Sequence, residues 1–165
     1  MNFLRPPPAT KFLMVCRANI CRSPMAQAVA QQLVEQAGLA RDIVVDSAGT
    51  HVGGAKAKPD ARAHTLLSQR GYVLGKNRSR QVSAKDFAHY DLVLALDQTN
   101  LNDLRQLCPA EHMHKLRLLL EYAEGVDLRD VPDPYYGNLQ GFEHVLELCE
   151  AGARGLVAAY QTFKR

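Results

Sequence analysis

The sequence predicts an α/β domain built around a mostly parallel sheet. Two observations point there. Short apolar runs of strand length alternate with longer segments whose apolar residues recur at helical spacing. The 165 residues, 47% hydrophobic and 22% charged, also have the size and composition of about one globular domain.

The elements follow in order. Residues 1–10 contain Pro6, Pro7 and Pro8 and read as a flexible leader, because proline removes backbone donors and favours extended chain. Residues 11–15 are a nearly continuous apolar run, as in a strand buried on both faces. Residues 16–23 are a polar interruption, and Pro24 is expected to open a helix. Met25, Ala28, Val29, Leu33 and Ala37 carry its apolar face, and Gly38 ends it. Residues 43–45 form a second strand, followed by a glycine-rich loop from Gly49 to Pro59. A helix is expected over 61–70, stopped by Gly71, then a strand over 92–96 and a helix over 99–107, before Pro109. Residues 115–119 make a short strand. Residues 123–138, with two prolines, two glycines and three aspartates, make a long surface loop of the kind that often carries function. An amphipathic helix over 142–163 closes the chain despite Gly152 and Gly155. No internal repeat and no domain boundary is visible.

Composition excludes several classes of function. A formal charge of +3, with no basic block longer than residues 76–80, argues against a nucleic-acid binder. No apolar run approaches the roughly 20 residues of a membrane span. Prolines occupy the place of a signal peptide's apolar stretch, so the expected location is the cytoplasm. The four cysteines, Cys16, Cys21, Cys108 and Cys149, are too scattered for a disulfide scaffold. Cys16 and Cys21 lack metal-ligand spacing and have no histidine nearby, so no metal site is expected. His112 and His114 read as solvated.

In an open α/β sheet, ligands bind beyond the carboxyl ends of the strands. The loop leaving the first strand reads Val15-Cys16-Arg17-Ala18-Asn19-Ile20-Cys21-Arg22-Ser23-Pro24. A loop entering a helix N-terminus converges several N–H groups and the positive end of the helix dipole on one spot, which suits an oxyanion. A cysteine at its centre is expected as a thiolate. Arg22 can offer two oxygens of a phosphate its planar fork, and Ser23 can donate to the Cys16 sulfur or cap the helix. Free cysteine is often an inert packing residue. A position between a strand and a proline-opened helix favours the alternative, a nucleophile held in an anion cradle. Without G-x-x-x-x-G-K-[ST] the loop is not a nucleotide P-loop.

Residues 15–24 resemble the phosphate loop of the low-molecular-weight protein tyrosine phosphatases, and Asp46 to Thr50 resemble the second-strand exit of the bacterial members most. Asp46-Ser47-Ala48-Gly49-Thr50, Arg80-Gln81, Asp97-Gln98-Thr99-Asn100-Leu101 and Asp133-Pro134-Tyr135-Tyr136-Gly137 resemble further landmarks of that family, in its order, from residue 11 onward. The resemblance implies a single-domain three-layer αβα sandwich around a central, mainly four-stranded parallel sheet, spanning residues 11–165. It implies Cys16 as nucleophile, Arg22 as phosphate clamp and Asp133 as general acid and base. Arg17, Ala18, Asn19, Ile20, Cys21, Arg22 and Ser23 would bind the phosphate, with Asn19 bracing the loop. Tyr135 and Tyr136 would wall the substrate cleft, with His51 close by. Cys21 would form a reversible bridge to Cys16 under oxidation, and no metal or other cofactor is implied. The expected partners are phosphotyrosine proteins, an autophosphorylating bacterial tyrosine kinase among them, for a monomer or weak dimer.

Four positions depart from the family pattern. Ala18 replaces a usual glycine, a cost if that position needs positive φ. Arg17 replaces a small or apolar residue, and Asn77 replaces a histidine that braces Ser23. Residues 50–59 lack an aromatic opposite the tyrosines. Two alternatives share the fold. Protein-arginine phosphatases tend to carry threonine where this chain has Ile20. Arsenate reductases need a relay of extra cysteines that the lone Cys108 does not supply.

Overall fold

Strand β1 (Thr10–Cys16) runs through the middle of a four-stranded, all-parallel sheet of order β2-β1-β3-β4, where β2 is Ile43–Gly49, β3 Leu92–Ala95 and β4 Leu116–Leu118. The structure, a computed structural model, describes residues 8–54, 56–135 and 137–164. The period-2 alternation of a strand divides the β1 side chains between two layers. Phe12, Met14 and Cys16 join one buried cluster with α1 (Arg22–Gln36), α2 (Ala61–Gln69) and α5 (Leu139–Phe163). Leu13 and Val15 join the other, with α3 (Ala84–His89) and α4 (Gln98–Leu107). The result is the three-layer αβα sandwich.

Since β2 and β3 lie on opposite sides of β1, the order of winding reverses there. The crevice this opens lies between the loop after β1 and the loop after β3, which is where an open α/β sheet takes its ligand.

Several boundaries differ from the sequence reading. β1 starts at Thr10, inside the expected leader, whose residues 1–7 lie outside the described residues. α1 starts at Arg22, so Pro24 is its third residue; proline is accommodated because first-turn N–H groups have no intrahelical acceptor. α5 starts at Leu139, capped by the Asn138 side chain accepting from Gly141 N. α3 and two 3₁₀ turns, Ala110–Lys115 and Leu119–Tyr122, were not anticipated. Each is too short to show a period.

Gly152 and Gly155 are docking points rather than defects. A Cβ at Gly155 would lie 1.6 Å from Tyr122 O, and one at Gly152 would lie 2.7 Å from the Leu119 side chain. Both glycines let the backbone of the Leu119–Tyr122 turn lie against α5. Among the described residues no helix is long and apolar enough to cross a membrane.

Candidate active site

Cys16 is the last residue of β1, and its Sγ lies 3.0 Å from Ser23 Oγ in the first turn of α1. The turn between them depends on Asn19. It has φ +56°, the one positive value outside glycine among the described residues. Asparagine tolerates that region because its side chain bonds locally. Asn19 Nδ2 donates to Ser23 Oγ (2.8 Å) and to Ser47 Oγ (3.0 Å), while Oδ1 accepts from Arg80 N (3.1 Å). With Asn19 donating into it, Ser23 keeps its own proton for the Cys16 sulfur or for Ala48 O at 3.3 Å. Gly49 supports the loop from beneath, since a Cβ there would stand 2.6 Å from Arg17 O. Thr50 N and His51 N donate to Cys16 O and Arg17 O at 3.0 and 2.8 Å.

Arg22, although buried, is held on three sides. Nη1 donates to Asp97 Oδ2 (2.5 Å) and to Val131 O (3.0 Å), and Nη2 faces Asp133 Oδ2 at 3.4 Å. Burial works against its charge, but the Asp97 hydrogen bond and the negative charges of Cys16, Asp97 and Asp133 outweigh it and hold the guanidinium protonated. Asp97 stands two residues past the end of β3, so the clamp spans the winding-reversal crevice. A cavity of about 250 Å³ opens over this assembly. It brings together Cys16, Arg17, Ala18, Ile20, Cys21 and Arg22 with Asp133 and Tyr135 from the long loop.

The model of the low molecular weight phosphotyrosine protein phosphatase family matches residues 11–165. The chain belongs to that family. It is 47% identical over 149 residues to the low molecular weight protein-tyrosine-phosphatase of Streptomyces coelicolor, covering 88% of this chain and 90% of that one. Crystal structures of YfkJ from Bacillus subtilis and of a protein tyrosine phosphatase from Entamoeba histolytica both superpose with a TM-score of 0.91. YfkJ is 35% identical and the pair covers 98% of this chain and 100% of that one. The Entamoeba protein is 32% identical, covering 95% and 100%.

Against these phosphatases the departures at Ala18, Asn77 and Arg17 can be placed in the structure. Ala18 bears no positive φ; that conformation falls on Asn19, so the methyl group carries no backbone strain. Asn77 Nδ2 donates to Gln27 Oε1 (3.0 Å), which also accepts from Ser47 Oγ (2.7 Å). Asn77 therefore reaches Cys16 through Gln27, Ser47, Asn19 and Ser23, a relay made only of amides and hydroxyls. Arg17 is exposed at the rim. His51, expected at the cleft, does not line it: its Nδ1 lies 3.0 Å from Thr50 Oγ1 and 3.7 Å from Asp103 on α4, which draw the ring aside. Tyr136 lies outside the described residues.

Asp97, Gln27, Ser47 and Arg62 serve the phosphatase site without having been expected there. Arg62 pairs with Asp60 through Nε (3.1 Å) and Nη2 (2.9 Å), then donates to Tyr135 O (2.9 Å) and Gly137 O (3.4 Å). Its guanidinium also lies 4.6 Å from the Phe142 ring centroid. Asp60 N in turn donates to Ile20 O (2.7 Å). The pair thus ties the Asp133 segment to the phosphate loop. Arg62→Gln is expected to lower kcat for an aryl phosphate by roughly tenfold, as a loosened catalytic group would. Its effect on inhibition by inorganic phosphate should stay within about twofold, because the phosphate loop itself is untouched. Equal losses in both would show that Arg62 supports the whole site.

Proposed function

We propose that the protein hydrolyses phosphotyrosine in protein substrates through a cysteinyl-phosphate intermediate. The observation that carries this reading is the convergence of Cys16, Arg22 and Asp133 on one cavity of single-side-chain size. Cys16 Sγ attacks phosphorus as a thiolate; the P–S bond forms and the P–O bond to the phenol breaks. Arg22 and the loop N–H groups bind the equatorial oxygens, where charge accumulates. The entering phosphoryl group takes the Arg22 edge that Asp133 now faces, freeing the carboxyl for the leaving oxygen. Displaced from Arg22, Asp133 reacts in its protonated form: it gives that proton to the leaving oxygen, then takes one from the water that attacks the phosphoenzyme, which restores the acid. The P–S bond breaks and the sulfur returns to the Ser23 hydroxyl.

The aromatic ring of Tyr135 and the apolar Ile20 side chain line the cavity, which suits a flat phenyl group better than a guanidino group. Phosphotyrosine proteins are then the partners, an autophosphorylating tyrosine kinase being one such class. The cytoplasm suits an enzyme whose nucleophile must stay reduced. Rapid quenching with a phosphotyrosine peptide should give a phosphate adduct that maps to Cys16. Faster turnover of phosphoarginine, or arsenate reduction with thioredoxin, would overturn the assignment.

Cys21 serves this reading as a redox guard. Burial, then the charges of Asp60, Cys16 and Asp133, push its thiol up to about 12, so it stays neutral and spares the phosphate site a second anion. After peroxide converts Cys16 to a sulfenic acid, a Cys21 thiolate attacks that sulfur, the S–S bond forms and hydroxide leaves. Thiolate rather than thiol is the attacking species. Bridge formation should therefore speed up about tenfold per pH unit from 7 to 9, still below the Cys21 value, as followed by peptide mapping after a peroxide pulse. A pH-independent rate, or thiol-reversible inactivation that persists in Cys21→Ser, would remove Cys21 from this role.

A further inference from the structure

We propose that a cationic groove beside the catalytic cleft docks an acidic segment of the substrate protein; the inference rests on the phosphatase reading. The groove has a volume of about 610 Å³ and is lined by Lys58, His64, Lys76 and Arg78, with Pro59 and Leu74 supplying apolar surface. The four basic side chains are exposed, and no carboxylate is among the lining residues. Among the described residues none of the four takes part in an ion pair. Among the described residues the Arg78 guanidinium donates to the neighbouring Asn77 O alone, at 3.1 Å. The nearest carboxylate in sequence, Asp60, is committed to Arg62. A chain whose total charge is only +3 thus gathers cations here without the usual interspersed acids.

Position gives the groove its meaning. Pro59 lines the groove and Ile20 lines the catalytic cavity, and Asp60 N, one residue on from Pro59, donates to Ile20 O at 2.7 Å. The two cavities therefore lie to either side of this backbone contact. A substrate chain with its phosphotyrosine over Cys16 would pass the groove within a few residues, at about 3.3–3.6 Å per extended residue. Fixed cations there attract acidic side chains over about 8 Å at physiological salt, raising the rate of encounter and setting its direction. The small aryl phosphate that fills the catalytic cavity alone gains nothing from them.

Two phosphotyrosine peptides test this, one with four glutamates on each side of the tyrosine and one with glutamines in their place. The acidic peptide should show a kcat/KM about tenfold higher, the gap closing in 0.5 M salt, as screening requires. In K58E/K76E/R78E, and less steeply in K58Q/K76Q/R78Q, the gap should fall below about threefold while p-nitrophenyl phosphate turnover stays unchanged. A gap absent from the wild type, or surviving in both variants, would overturn the proposal. So would a single-stranded oligonucleotide that binds the wild type, not the triple variant, when no peptide gap exists. If neither peptide is hydrolysed, the phosphatase reading has failed instead. Binding of the unphosphorylated acidic peptide, present in the wild type and lost in the variants, then still decides the groove.

Discussion

Cys16→Ser is expected to fold normally, to hold phosphate, and to lose hydrolysis by a factor on the order of 10⁴–10⁶. The separation follows from which atoms do which work. In the proposed mechanism phosphate is held by Arg22 and by N–H groups of a loop braced by Asn19 and Gly49, none of which the substitution touches. A serine oxygen fits within the space of the sulfur. Its hydroxyl can still meet Ser23 Oγ, which lies 3.0 Å from Sγ. Attack on phosphorus, however, needs an anion, and an alcohol is far harder to ionise than a thiol in the same cradle. Among the described residues no base sits against residue 16 to take the proton: Ser23 is itself a hydroxyl, and Asp133 faces Arg22. Phosphotyrosine peptide should therefore bind within a few-fold of the wild type and remain uncleaved. Turnover above about 1% of the wild type would show that sulfur is not the nucleophile.

The elements legible in the sequence are those whose signal is contiguous. The apolar run of β1 and the ten residues after it place the anion cradle without reference to any distant residue. Asp97, by contrast, stands 75 residues from Arg22, and its value as a clamp exists only because the sheet order sets β3 beside β1. Ser47 and Gln27 enter the Cys16 relay for the same reason, across the β1–β2 pairing. His51 shows the converse error. The family resemblance set it close to the cleft, whereas its ring lies toward Thr50 Oγ1 and Asp103 on α4. Gly152 and Gly155 look like helix-weakening residues until the backbone of the Leu119–Tyr122 turn is seen against them. α3 had a readable local cue, since Ser83 N donates to Asp86 Oδ2 at 2.8 Å in a capping arrangement. Its six residues were too few to draw attention as a period.

Asp97→Ala should damage stability and catalysis together, and the two losses can be told apart. Asp97 does two jobs: its Oδ1 caps α4 by accepting from Asn100 N (2.7 Å), and its Oδ2 pairs with Arg22. Removing the cap costs about 1 kcal/mol. Removing the partner leaves a guanidinium that is only 3% exposed without its main counter-charge. Breaking a buried pair from one side costs roughly 3–5 kcal/mol, and the 19% exposure of Asp97 argues for the lower end. Together these predict a loss of about 4 kcal/mol in urea unfolding. Asp97→Asn keeps the cap, so the difference between the two variants isolates it. For catalysis the direction is less obvious. Without Asp97, Arg22 carries more uncompensated positive charge, so inhibition by inorganic phosphate should be as strong as in the wild type or stronger. Yet its guanidinium is then held only by Val131 O and Asp133. A shift of about 1 Å away from the equatorial oxygens costs on the order of 10²-fold in rate. The expected signature is a kcat reduced about 100-fold with phosphate affinity retained, in both Asp97→Ala and Asp97→Asn. A kcat within threefold of the wild type in a folded Asp97→Asn would mean that Asp97 supports the fold alone and that Arg22 is aimed by the phosphate it binds.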